Sequence, residues 1–168
     1  SKLRKKNQKD KLEKGKILKI VLATSNSDKV REIKDFLKDY EIYALREICE
    51  PFKIVEDGAT FAANALIKAR AVQAKLRELN LADEFIALSD DSGISVEALG
   101  GRPGIYSARF SDMNERGQIT GKSATDASNR AKLISELNAL NLTSSPAFYT
   151  ACIAVSSNLG DYTAHGFM

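Results

Sequence analysis

The chain has 168 residues, 43% of them hydrophobic and only three of them proline, which suits one globular domain or two closely packed lobes. No apolar run approaches the length of a membrane-spanning helix, and the N-terminus lacks the apolar stretch of a signal peptide. Cys49 and Cys152 are far apart in apolar surroundings. This favours free thiols in a reducing cytoplasm over a disulfide or a metal site.

The net charge of +3 hides an uneven distribution. Residues 1–19 hold nine basic and two acidic residues, a net +7, whereas the remainder holds 16 basic and 20 acidic residues, a net −4. We interpret residues 1–16 as a basic tail or extension, followed by a mildly acidic domain over residues 17–168. A basic tail can bind nucleic acid, but this one has no aromatic residue for base stacking, and a solvated extension is the favoured reading.

The first predicted elements are a strand, a polar turn and a helix. Residues 17–23 form an apolar run typical of a buried strand, and apolar residues from Val30 to Leu37 recur at helical spacing. Lys29 lies at the helix start, where Glu32 one turn later can hold it in place. A helix N-terminus beside a lysine suits a phosphate group, although an ordinary capped helix shows the same pattern.

Two short strands and a long helix are predicted next. The strands cover residues 41–45 and 52–55, and an acidic turn at Glu56–Gly58 precedes a helix from about Thr60 to Leu79. The helix presents an apolar face, formed by Phe61, Ala65, Ala69, Val72 and Leu76.

Residues 85–98 are predicted to be a strand, an acidic turn and a second strand, and glycine-rich turns follow up to Gly104. An apolar run ends at Leu88, and Asp90 and Asp91 stand before Gly93 and another apolar run. Paired carboxylates bind a hard divalent cation, activate a water as a base, or cap their own turn. Because side chains alternate along an extended chain, we expect only one of the two carboxylates to face any given site.

The last third is predicted to contain a polar loop, a helix and a hairpin. The loop covers residues 111–123, the helix residues 124–140, and the strand that begins the hairpin residues 147–156. The helix positions expected to face inward are Ala127, Ala131, Ile134, Leu137 and Leu140. Because the return strand reaches the final residue, the domain is expected to be C-terminally incomplete.

Three segments, in this order and spacing, resemble the inosine triphosphate pyrophosphatase family: ATSNSDKVREI, DGATFAANALIKARA and LSDDSGISVEALGGRPGIYSARF. The resemblance runs from about Ile17 to Met168. It implies a magnesium-dependent hydrolase of ITP, dITP and XTP that releases the monophosphate and pyrophosphate. It also implies a homodimer with an elongated α/β fold, in which a long twisted mixed sheet is flanked by helices and two lobes surround a nucleotide cleft.

The resemblance also implies roles for individual residues. Seven residues match positions that bind substrate in the family: Thr24, Ser25, Asn26, Lys29, Lys68, Ser92 and Gly93. Asp91 matches the family's general base or metal ligand, and Glu56 matches an acidic residue of the magnesium site.

Two departures from the family pattern keep an alternative open. The long helix has Ala63 where the family has glutamate, and two later segments that contact the purine base are missing. The alternative is therefore a nucleotide-binding protein without activity. His165 does not match the family's late histidine, and we interpret it as a structural residue.

Overall fold

The computed structural model describes residues 18–24 and 26–168, so the predicted basic tail lies outside the part of the chain described. One mixed sheet of five strands forms the centre of the fold, in the order β2-β1-β3-β4-β5. Its strands are β1 (Lys19–Leu22), β2 (Glu41–Ala44), β3 (Phe85–Val96), β4 (Ala147–Ser157) and β5 (Gly160–Phe167). β1 pairs in parallel with β2 and β3, whereas β3, β4 and β5 are antiparallel. The expected α/β fold with a mixed sheet is confirmed.

Two helices cover opposite faces of the sheet, as the alternation of side chains in the strands requires. Helix α1 (Ser27–Phe36) packs its Val30 against Leu22 of β1 and Leu88 of β3. Helix α2 (Phe61–Glu78) packs the predicted apolar face against the other side, where Ala65, Ala69, Val72 and Leu76 are almost completely buried. Even-numbered residues of β3 therefore face α1, and odd-numbered residues face α2.

The predicted acidic turn inside residues 85–98 is wrong, because β3 is one continuous strand from Phe85 to Val96. Asp, Ser and Gly are common in turns, which is why the sequence pattern indicated one. Ten residues of β3, from Ala87 to Val96, pair with β4, and this ladder keeps the chain extended. The strand predicted over residues 52–55 is also wrong, since that segment is irregular.

Helix α3 (Asp126–Ala139) exists where a helix was predicted, but its inward face was assigned wrongly. Ile134 is 58% exposed and Leu140 is 50% exposed. The helix packs on a 3₁₀ segment, Gly104–Asp112, instead of on the sheet. Asn129 makes that contact through polar bonds, since its side chain accepts from the Ser111 amide and donates to the Ala108 carbonyl.

Three further observations concern the cysteines, the histidine and membrane-spanning helices. Both cysteines are free, with Cys152 buried and Cys49 half-buried. His165 lies on β5, where its ring stacks on Phe167. Within residues 18–24 and 26–168, the structure contains no helix that is long and apolar enough to span a bilayer.

Candidate active site

A cleft of about 500 Å³ lies beyond the C-terminal ends of β1 and β2. Thr24, which follows β1, lines it together with Glu56 and Lys68. The chain leaves β1 through α1 on one face of the sheet and reaches β3 through α2 on the other. In open α/β sheets such a reversal leaves a crevice at the strand ends, and ligands bind there. The position of the cleft thus fits a substrate site.

Lys68 lies between two carboxylates that the sequence places far apart. Its Nζ atom is 3.3 Å from Oε2 of Glu56 and 4.0 Å from Oδ1 of Asp91. Asp91 has an odd number, so it lies on the face of β3 that α2 covers, and Lys68 is on α2. The fold therefore brings together three of the residues that the resemblance predicts for the site.

Glu56 reaches this cluster because the acidic segment packs tightly on the first turn of α2. The amide of Gly58 donates to Oδ1 of Asn64 at 2.8 Å. A Cβ atom at Gly58 would lie only 2.7 Å from that oxygen and 2.8 Å from Cβ of Ala63. Only glycine allows residue 58 to approach Asn64 and Ala63 so closely. This contact fixes the segment carrying Glu56 against the helix carrying Lys68.

One carboxylate oxygen of Asp91 is buried without a hydrogen bond to the described residues. Its Oδ2 atom is buried and has no hydrogen-bond partner among the described residues. Burial raises the pKa of Asp91 above its ordinary value, while the charge of Lys68 and the Asn64 side chain oppose that rise. Buried polar atoms are almost always paired in native proteins, so this oxygen indicates a contact with a ligand or ion.

The donor set fits Mg²⁺, the cation that the resemblance implies. Within the described parts of the chain, no group of three or more His, Cys, Asp or Glu residues could hold a metal. Mg²⁺, however, is usually bound by one or two carboxylates, with waters and substrate phosphates completing its shell. Glu56 and the unpartnered oxygen of Asp91 supply that number of carboxylates.

The predicted opposition of Asp90 and Asp91 is confirmed. Oδ2 of Asp90 lies 3.8 Å from Nζ of Lys29, which is on α1 and is also 3.2 Å from Oε2 of Glu32. Partial burial lowers the pKa of Lys29, but the hydrogen bond to Glu32 and the charge of Asp90 outweigh it and raise the pKa overall. Lys29 is therefore a fixed cation on the α1 face, on the side of β3 opposite Lys68.

Polar side chains in the turn after β1 cap the N-terminus of helix α1. Oδ1 of Asn26 accepts from the amides of Asp28 and Lys29, and Oγ1 of Thr24 accepts from the amide of Asn26. The first amides of α1 are thus already bonded, which is the ordinary capped-helix arrangement. Ser25, which the resemblance also assigns to this turn, lies outside the described residues.

Ser92 and Gly93 contact different elements. Oγ of Ser92 hydrogen-bonds the hydroxyl of Tyr149 at 2.9 Å, on the face that also carries Asp90. A Cβ atom at Gly93 would lie 2.4 Å from the carbonyl oxygen of Gly104 and 2.4 Å from Oγ of Ser107. Gly93 is thus required by the 3₁₀ segment packed on β3, and not by the acidic turn that was predicted there.

Sequence reasoning missed several residues near this site. Arg46 and Lys53 line the cleft, Asn64 adjoins Asp91, and Tyr149 bonds Ser92. Arg46 lies in the 3₁₀ turn Leu45–Glu47 and Lys53 in an irregular segment, so neither had a periodic pattern that could reveal it.

Comparisons with known proteins identify the family of this chain. The model of the Ham1 family matches residues 20–168. A dITP/XTP pyrophosphatase of Campylobacter concisus is 74% identical over 151 residues, which are 90% of this chain and 71% of the relative. A dITP/XTP pyrophosphatase of Campylobacter fetus is 66% identical over 151 residues, covering 90% of this chain and 70% of the relative.

Solved structures show the same fold. A Ham1 protein from Coxiella burnetii has a TM-score of 0.70 and 34% identity, over 90% of this chain and 71% of that one. The Staphylococcus aureus Ham1 protein has a TM-score of 0.70 and 30% identity, over 89% of this chain and 69% of that one. These matches confirm the resemblance stated from the motifs, and the chain belongs to the Ham1 family, that of the inosine triphosphate pyrophosphatases.

Proposed function

We propose that this chain hydrolyses nonstandard purine nucleoside triphosphates, namely ITP, dITP and XTP, to the monophosphate and pyrophosphate. Relatives with up to 74% identity carry the name dITP/XTP pyrophosphatase. Within the structure, the observation that carries the proposal is the buried carboxylate of Asp91. Its Oδ2 has no partner among the described residues, and its Oδ1 lies 4.0 Å from Nζ of Lys68, which lines the cleft with Glu56.

The residues of the cluster divide the work of phosphoryl chemistry. Asp91 orients the attacking water and accepts a proton from it, and burial, which raises the pKa of Asp91 above its ordinary value, makes the carboxylate a stronger base. Lys68 places a positive charge next to the phosphates, and Lys29 does so from the α1 side. Thr24, Ser25 and Asn26 supply polar contacts to the phosphates, and Ser92 and Gly93 border the nucleotide. Burial of Asp91 strengthens its interaction with Lys68, because little water screens the two charges.

Glu56 and Asp91 would hold Mg²⁺ at the proposed site, where the cation would supply positive charge to neutralise the phosphate oxygens. Lys68, which lies between these two carboxylates, adds a positive charge of the protein's own.

The test is a panel of pyrophosphate release from ITP, XTP, GTP and ATP, with and without Mg²⁺. Magnesium-dependent release that is faster for ITP and XTP than for GTP and ATP supports the proposal. Nucleotide binding without release would favour the inactive nucleotide-binding protein, the alternative that Ala63 raises because it leaves Glu56 and Asp91 as the two carboxylates of the site.

The proposal includes a cytoplasmic homodimer, as family resemblance implies. Several large apolar side chains of β4 and β5 are exposed, including Ile153 at 46% and Tyr162 at 65%. An apolar face of this kind is compatible with association. Light scattering across a range of protein concentrations measures the oligomeric state directly.

A further inference from the structure

Two cations that line the cleft form no salt bridge within the described part of the chain. Arg46 follows β2, and Lys53 lies in the irregular segment before Glu56. Neither side chain forms a salt bridge with any acid in residues 18–24 and 26–168. The acid next to Arg46, Glu47, is engaged elsewhere, since its carboxylate accepts from the Ala44 amide at 2.6 Å and lies 3.3 Å from Nζ of Lys34.

The cleft is positively charged although the folded domain is not. Its lining holds three cations, Arg46, Lys53 and Lys68, and one anion, Glu56, for a net +2. Residues 20–168, by contrast, carry 16 basic and 20 acidic residues, a net −4. A concave site of one sign concentrates ligands of the opposite sign. Lys68 is already paired with Glu56 at 3.3 Å, so the unbalanced charge belongs to Arg46 and Lys53.

We propose that Arg46 and Lys53 bind the two terminal phosphates of the substrate and retain them as the leaving pyrophosphate. This inference rests on the proposed function for its reaction and adds two binding residues to it. In the proposed function the attacked phosphate lies at Lys68 and Asp91, and Arg46 and Lys53 line the same cleft as Lys68. Arginine adds a bidentate fork for phosphate oxygens and lysine a point charge.

The ligand chemistry that follows is a linear polyphosphate. Hydrogen bonds to charged groups contribute about 1.5–3 kcal/mol each, which corresponds to roughly tenfold or more in affinity. Loss of either cation is therefore expected to weaken binding of tripolyphosphate and pyrophosphate about tenfold. Binding of IMP, which lacks the terminal phosphates, is expected to change by less than about twofold.

The experiment is calorimetric titration of tripolyphosphate, pyrophosphate and IMP into the wild type and the variants Arg46→Gln, Lys53→Gln and the double substitution. Arg116→Gln and Lys38→Gln are matched controls, because both residues are exposed and neither lines the cleft. Melting temperatures exclude unfolding. The expected result is weakened polyphosphate binding in the cleft variants only.

Three outcomes would overturn the inference: unchanged polyphosphate binding in both cleft variants, an equal loss in the controls, or no polyphosphate binding by the wild type. Hydrolysis of XTP is measured separately on the same proteins. A wild type that binds tripolyphosphate through Arg46 and Lys53 but releases no pyrophosphate from XTP would contradict the proposed function and leave this inference standing. A wild type that hydrolyses XTP while both cleft variants bind polyphosphate normally would contradict this inference and leave the proposed function standing.

Discussion

Replacing Asp91 with asparagine tests the proposed catalytic centre. The substitution keeps the shape of the side chain but removes its charge and its capacity to accept a proton. Loss of a general base typically lowers the rate about 100- to 10,000-fold, and loss of a metal ligand adds to that. The fold is expected to persist, because burial raises the pKa of Asp91 and a neutral side chain meets no such penalty.

Asp90 provides a neighbouring control on the opposite face of β3. Its carboxylate lies 3.8 Å from Nζ of Lys29, and the two side chains are 20% and 35% exposed. A partly exposed ion pair of this kind contributes at most about 1 kcal/mol to holding Lys29 in place. If all of that is lost from substrate binding, Asp90→Asn lowers kcat/KM by about fivefold. The two adjacent substitutions should therefore differ in activity by at least about 20-fold.

The assay is kcat/KM on ITP for both variants across a magnesium titration, with the melting temperature as the folding control. If Asp90→Asn is the inactive variant and Asp91→Asn works normally, the catalytic face of β3 has been assigned wrongly. Full activity in both variants would refute a catalytic role for this stretch.

Three further predictions follow from the contacts of β3. Gly93→Ala places a methyl group within 2.4 Å of the Gly104 carbonyl and should cost about 1–3 kcal/mol in urea unfolding, whereas a loss below about 0.5 kcal/mol would show that the 3₁₀ segment yields easily. Tyr149→Phe removes only the hydroxyl that holds Ser92 and should raise KM for ITP severalfold with little change in kcat; an unchanged KM would remove Ser92 positioning from its roles. Burial raises the pKa of Asp91 above 3.8, so the unfolded chain loses the Asp91 proton at lower pH than the folded chain does. The metal-free wild type should therefore lose stability relative to Asp91→Asn as the pH rises from about 4. A difference in melting temperature that is the same at acidic and neutral pH would contradict this.

Periodicity was a sound guide where secondary structure and burial coincide. The apolar spacing of α2 predicted both the helix and its buried face, and the run before Thr24 predicted β1. The prediction of a turn within β3 failed, because pairing with β4 outweighs the turn preference of Asp, Ser and Gly. Periodicity failed for the face of α3 because that helix packs through half-buried polar groups such as Asn129.

The candidate site was predictable only where motifs carried it. Glu56, Lys68 and Asp91 came from the family resemblance, and the fold brings them together. Their separation in sequence gave no sign of that proximity, since it depends on α2 lying across β3. Arg46 and Lys53 stand outside every motif and enter the cleft only through the path of the chain after β2.

The most direct test of the central claim is pyrophosphate release from XTP by the purified chain, measured with Mg²⁺, after its removal by a chelator, and after Mg²⁺ is restored. The cluster of Glu56, Lys68 and Asp91 predicts release with Mg²⁺, loss on chelation and recovery on restoration, with Asp91→Asn inactive throughout. Release of pyrophosphate that is equally fast after chelation, or in Asp91→Asn, would contradict the proposed site.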